Sequence, residues 1–354
     1  MGFQTTCSCT CENSEEKAPN SVELDAGPIV WRQRKDASYD EPAPSPLPLI
    51  PLQAAFRAYL SRRVLPASLN LTADDSLPPQ GVGPAATDPQ SFLTLQVKET
   101  CAKLPTLSLN RSVKGAISQG PQLLQNGDIY LGEWSPGLRV PMGRGCLYAT
   151  DGSFYEGYWK NGEFHHFGRS VYPNGDHYEG SFASGQRAGF GKFETSGGKC
   201  KYEGAWREDM RWGRGKEVYA DGSRYEGDYS CDIKSGRGHM WWTDGSSYAG
   251  DFLEEKITGQ GEYRWVDGRH YVGQWLNGQM HGHGSFSYSD GSRYSGAYCF
   301  DQKHGHGIYC WAGNEYDGEW QDGKMHGLGW VTKSSGERKR FEYVRGERLR
   351  ELPT

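Results

Sequence analysis

The sequence predicts an all-β fold: an elongated single-layer antiparallel sheet of tandem hairpins, preceded by a mostly disordered arm with one short helix. Three observations predict it. Tyrosine-x-glycine recurs at Tyr130, Tyr155, Tyr178, Tyr202, Tyr225, Tyr248, Tyr271, Tyr294 and Tyr316, at intervals of 25, 23, 24, 23, 23, 23, 23 and 22. Four residues after each tyrosine stands an aromatic: Trp134, Trp159, Phe182, Trp206, Tyr229, Phe252, Trp275, Tyr298 or Trp320. A G-x-G pair follows in eight of the nine units, as at Gly282/Gly284, and only the second unit departs, with His166 before Gly168. Self-similarity at a fixed period is the mark of a repeat architecture.

Each element follows from these spacings. Tyrosine, glycine and aromatic at offsets 0, 2 and 4 share one face of a strand. Gly282, Gly284, Phe286 and Tyr288 also have period two and make a second strand. Asn277-Gly278 between them signals a hairpin, and Asp290-Gly291 turns the chain into the next unit. Nine hairpins give eighteen strands in one layer. Burial must then come from one face, with rings of one strand laid across glycines of the next, where no Cβ interferes. This accounts for the many glycines despite an entropic cost of about 0.5–1 kcal/mol each.

Composition divides the chain near residue 121. Of 18 prolines, 14 lie at or before Pro121, and of 49 glycines, 43 lie after Gly120. Residues 1–120, with DEPAPSPLPLIP, read as a largely disordered proline-rich arm. The charged segment 338–354 is expected to cap the last strand. Net charge is −5 with no dominant basic patch, so nucleic acid is not an expected partner. No stretch has the length of a membrane span, and the N-terminus lacks the regions of a secretory signal. The nine cysteines are expected to be reduced thiols in a cytoplasmic setting.

The stretch NGQMHGHGSFSYSDGS invites two chemical readings, and both are weak. His281 and His283 would suggest a metal pair, yet no carboxylate or cysteine recurs with them at ligand spacing. Gly282-x-Gly284-x-Phe286 would suggest a phosphate loop, yet the pair recurs in eight units and no helix follows it. Cys146, Cys200, Cys231, Cys299 and Cys310 occupy unrelated repeat positions, so no nucleophile stands out. No enzyme, metal or cofactor is expected.

The pattern resembles the MORN repeat, Y-x-G-x-W-x-x-G-x-x-x-G-x-G, in nine consecutive units over 128–337. The resemblance implies a non-enzymatic scaffold that takes a helix or peptide along an aromatic groove. The groove is expected along Tyr155, Trp159, Tyr178, Phe182, Tyr202, Trp206, Tyr225, Trp242, Tyr248, Trp265, Tyr271, Trp275, Tyr294, Trp311, Tyr316 and Trp320. MORN-only proteins are similar in being cytoskeletal or membrane-apposed adaptors, which implies a cilium, flagellum or axoneme here. The alternative is a membrane-tethering or phospholipid-binding module. A homo-oligomer is compatible with either.

The arm holds two motifs. LQAAFRAYLSRRVL, 52–65, resembles the calmodulin-binding IQ motif at Leu52, Gln53, Arg57, Arg62 and Leu65, with Ala58 in place of its usual glycine. Pro51 and Pro66 bracket it, and Leu52, Phe56, Tyr59 and Leu60 form an apolar stripe. Two readings stand: a calmodulin-like partner, or docking on the protein's own aromatic strip. At the N-terminus, Gly2 with Thr6 fits minimal myristoylation, and Cys7, Cys9 and Cys11 are candidate palmitoylation sites; an unmodified tail is the competing expectation.

Overall fold

The structure, a computed structural model, describes residues 88–110 and 113–353. All of them belong to one unit of the chain, Ala43–Thr354. The IQ-like helix 52–65 and the acylation motif at Gly2, Cys7, Cys9 and Cys11 lie outside the described residues.

Twenty-one strands run from Ile117–Leu123 to Glu347–Leu352, and each pairs antiparallel with its neighbours in sequence. The eighteen expected strands are present, from Ile129–Trp134 to Lys324–Thr332. Three are added: Ile117–Leu123 before them, and Arg338–Val344 and Glu347–Leu352 after them. The last carries Glu347, Arg348, Arg350 and Glu351, which blunts the open edge with charge.

The unit around Tyr271 shows how the sequence sets the register. Asn277 and Gly278 both have positive φ, 50° and 86°, as a two-residue primed turn requires. Gly273 faces Gly284, and Tyr271 faces Phe286. Between Gly273 and Trp275 the pairing slips, so that Trp275 faces Met280. The slip falls at Gly282, whose φ of 66° suits the extra residue of a bulge. Gln274 caps the bulge, its Oε1 accepting from the His283 N–H at 2.7 Å. At the other end Asp290 accepts from Ser292 N and Oγ, closing the Asp-Gly turn.

This register lines up one glycine per strand from Gly132 to Gly329. The row ends where Phe341 faces Gly329. On one face of the sheet the tyrosine rings lie over this row.

The opposite face is covered at its start by a segment expected to be unstructured. Asp88 and Thr94 cap a 3-10 turn, Pro89–Phe92, and a helix, Leu95–Lys103. Val97 is fully buried, and Thr94, Gln96 and Thr100 bond to Pro173 O, Ser196 Oγ and Gly175 O. The chain then crosses the sheet, with Pro105 O accepting from Arg169 and Leu109 O from Arg144. Arg169, almost fully buried, also pairs with Glu156 and Glu179. Nothing in the repeat period marks this segment, because its anchors are irregular substitutions on the face that the tyrosine ruler does not measure.

Candidate functional site

Each repeat tyrosine bonds back to its own strand, its hydroxyl donating to the carbonyl three residues on. The distances are 2.9–3.1 Å for all nine, from Tyr130 to Glu133 O through Tyr316 to Glu319 O. The ring is thereby pinned over the glycine pair. A Cβ placed on Gly284 would lie 2.3 Å from the Tyr271 hydroxyl oxygen and 2.4 Å from its ring. Burial lifts these phenols well above the ordinary tyrosine pKa, as at Tyr155 and Tyr271.

Each tyrosine also meets two aromatics edge to face. Tyr271 is 5.0 Å from Trp275 of its own strand and 5.3 Å from Tyr298 of the next unit. Tyr294 repeats this with Tyr298 and Trp320, and Tyr316 with Trp320 and Tyr343. Such contacts add about 0.5–1.5 kcal/mol each beyond burial. Half of them cross a repeat boundary, so each unit draws part of its core from its neighbour.

That packing changes where a partner can touch. Thirteen of the sixteen residues expected to line the groove are core: Tyr155, Trp159, Tyr178, Phe182, Tyr202, Trp206, Tyr225, Tyr248, Tyr271, Trp275, Tyr294, Tyr316 and Trp320 are each at most 7% exposed. Their rings cover glycine and one another. Trp242, Trp265 and Trp311 are only half-buried and pack at the margin of that core. They belong to a continuous ring ladder on the same face. From Trp242 it passes to Tyr263 at 5.3 Å, Trp265 at 4.4 Å, Phe286 at 5.3 Å, Tyr288 at 4.6 Å, Tyr309 at 6.2 Å and Trp311 at 5.3 Å. Only Phe286 of the seven is fully buried. The ladder is the accessible aromatic surface of the tyrosine face.

Beside the core runs a row of long side chains that begins each second strand. Arg187 donates its N–H and Nε to Asp209 Oδ1, at 2.9 and 3.2 Å, and both residues are buried. Arg211 does the same with Asp232 and also meets Glu217, and Lys234 pairs with Glu255 at 2.8 Å. The acid is always the second residue of the next hairpin turn, held at positive φ: 66° at Asp209, 71° at Asp232 and 70° at Glu255. A non-glycine residue there is strained; its carboxylate accepts from the backbone N–H of the residue it faces, as Asp301 also does at Met280, and in these three units it also neutralises a buried cation.

Lys303 breaks the row. Gly323 stands where its acid would be, and among the described residues no carboxylate forms an ion pair with it. Four rings surround its Nζ instead: Tyr309 at 4.5 Å, Trp320 at 4.6 Å, Tyr294 at 5.0 Å and Tyr288 at 5.3 Å. Burial lowers its pKa from 10.5 to about 8. Sequence reasoning missed both the clamps and this exception, although acidic hairpin turns at Glu208-Asp209 and Glu254-Glu255 already break the Asn-Gly rule.

His281 packs 5.1 Å from Phe300, and His283 lies exposed on the other face. Among the described residues no group of three or more His, Cys, Asp or Glu side chains could hold a metal ion. Among them, too, no helix is long and apolar enough to cross a membrane.

The MORN repeat family matches this chain in eight tandem segments, 155–177, 178–199, 202–224, 225–247, 248–268, 271–293, 294–314 and 316–338. The unit at Tyr130 lies outside those segments but makes the same hydroxyl bond and ring contacts. Alsin of Homo sapiens and alsin of Pan troglodytes are each 33% identical over 112 residues, 30% of this chain and 6% of alsin. Alsin of Mus musculus is 35% identical over 91 residues, 24% of this chain and 5% of alsin. The matches therefore span only a small part of those proteins. With eight consecutive matched segments and one interlocked geometry running through them, the chain belongs to the MORN repeat family.

Proposed function

We propose that this protein is a non-catalytic scaffold that holds a helix or peptide of a partner protein on the ring ladder from Trp242 to Trp311. Repeats of this family are interaction modules for proteins or membranes, and the protein reading is favoured by the ladder itself. Seven contiguous rings, six of them only half-buried, give a long aromatic surface. That is the composition of interface anchors. A lipid surface would instead call for a basic face, which the net charge of −5 does not supply.

The setting we propose is cytoskeletal, in a cilium or flagellum, with calmodulin engaging residues 52–65. This part rests on the family resemblance and the IQ-like residues. Proximity labelling with the full chain identifies the partner, and W242A/W265A/W311A tests the surface. The triple variant should keep its circular dichroism spectrum and lose the principal labelled partner. Retention of that partner by the folded variant refutes the ladder as the binding surface. Calmodulin capture should be lost in R57A/R62A, and unchanged capture removes that contact.

A further inference from the structure

Residues 104–109, Leu-Pro-Thr-Leu-Ser-Leu, show what the face opposite the tyrosines binds. Leu104, Leu107 and Leu109 are half-buried on it, while Arg169 and Arg144 donate to the carbonyls of Pro105 and Leu109. Arg144 is the middle residue of a G-x-G pair, and its Nε is meanwhile held by Glu133. The same arrangement recurs further along, where nothing among the described residues covers it. Arg214 and Arg237 are also middle residues of G-x-G pairs, each with Nε on an aspartate, Asp228 and Asp251, and side chains 74% and 81% exposed.

These two arginines line a trough together with Trp241, Ala249 and Val272, and with Glu226 and Glu262 among its polar residues. Trp241 is braced by His239, stacked at 3.6 Å, and by the Arg224 guanidinium over its ring at 4.7 Å. Val272 is 47% exposed. The trough thus offers guanidinium donors for backbone carbonyls, an aromatic wall and small apolar seats. It suits a proline- and leucine-rich strand, whose carbonyls have no partner within their own chain.

We propose that the trough is filled by this chain's own Pro44–Pro51, Pro-Ser-Pro-Leu-Pro-Leu-Ile-Pro. Like 104–109 it combines proline with leucine, and Leu47 and Leu49 stand two apart as Leu107 and Leu109 do. The turn Pro89–Phe92, next to Asp88 where the described chain begins, already packs against the strand Pro141–Tyr148. Asp88 stands 37 positions after Pro51. A chain of that length reaches about 120 Å when extended. The strand carrying Arg237 is six strands beyond the one carrying Arg169, about 30 Å at 4.8 Å per strand. Tethering makes the segment a high-concentration ligand for the trough.

A photoreactive p-benzoylphenylalanine at Val272 in the full chain tests this. A second at Glu156, beneath the docked helix, must capture residues 101–109 and so calibrates the yield. The expected result is an intramolecular cross-link from Val272 to residues 44–51. It should fall about tenfold in L47S/L49S/I50S, as expected for two or more lost apolar seats, and fall again in R214A/R237A. A cross-link to another part of the arm or to a second copy, or none where Glu156 reacts, overturns the proposal.

Discussion

Replacing Lys303 with methionine should stabilise the protein, because its charged amine is buried where no carboxylate among the described residues pairs with it. The drop from 10.5 to about 8 corresponds to about 3 kcal/mol at 1.4 kcal/mol per pH unit. The four surrounding rings return about 1–2 kcal/mol of that. Methionine occupies the matching positions Met280 and Met325, so the shape is known to fit. Lys303→Met should therefore gain about 1–2 kcal/mol at pH 7. The pH dependence is fixed by the direction of the shift. Below pH 8 both folded and unfolded chains carry the proton and the penalty is complete. Between about 8 and 10.5 only the folded chain releases it, so the wild type gains on the variant and the difference closes. Hydrogen exchange over residues 294–320, read by mass spectrometry at pH 7 and pH 10, measures this locally, as suits a repeat array. Destabilisation at pH 7, or a gain that does not change with pH, would refute the reasoning.

Three further outcomes follow from the same row and core. Gly323→Asp should restore the missing acid and return Lys303 toward an ordinary pKa, seen as slower amine labelling at pH 8; unchanged labelling contradicts the clamp geometry. Asp209→Asn leaves the buried Arg187 without its carboxylate and should cost about 3–5 kcal/mol in urea unfolding; a loss below 1 kcal/mol would mean the pair is solvated. The raised phenol pKa values favour folding fully below pH 10 and lose that contribution as pH rises through the folded values. Alkaline titration should therefore show phenolate absorbance appearing together with unfolding, and a separate earlier phenolate step would contradict the burial.

Much of the repeat was legible because one steric rule generates it. Only glycine can lie beneath a ring, so Tyr271, Gly273 and Gly284 mark themselves at every unit and carry register and turns with them. Which aromatics are buried and which stay half-buried was not read from the period. Trp275 stands two residues past Gly273 and packs on Tyr271, whereas Trp311 stands four past Gly307 and is only half-buried at the margin of the core. That difference depends on how far each ring lies from the glycine row. The helix Leu95–Lys103 escaped for another reason: its anchors at Pro173, Gly175 and Ser196 belong to single units and have no period. The end of the array was half-visible, since Phe341 and Tyr343 keep period two after Tyr-x-Gly has stopped.

The central claim is that each ring is seated on a glycine that tolerates no side chain. Gly284→Ala tests it against Gly120→Ala, where an added Cβ would meet nothing within 4 Å. A methyl at Gly284 must displace the fully buried Tyr271 ring, a clash expected to cost about 1–3 kcal/mol or more. Gly120→Ala should stay within about 0.5 kcal/mol of wild type. Thermal unfolding of the two full-length variants should therefore show a clear drop for the first and none for the second. Equal midpoints would contradict the interlock of ring and glycine.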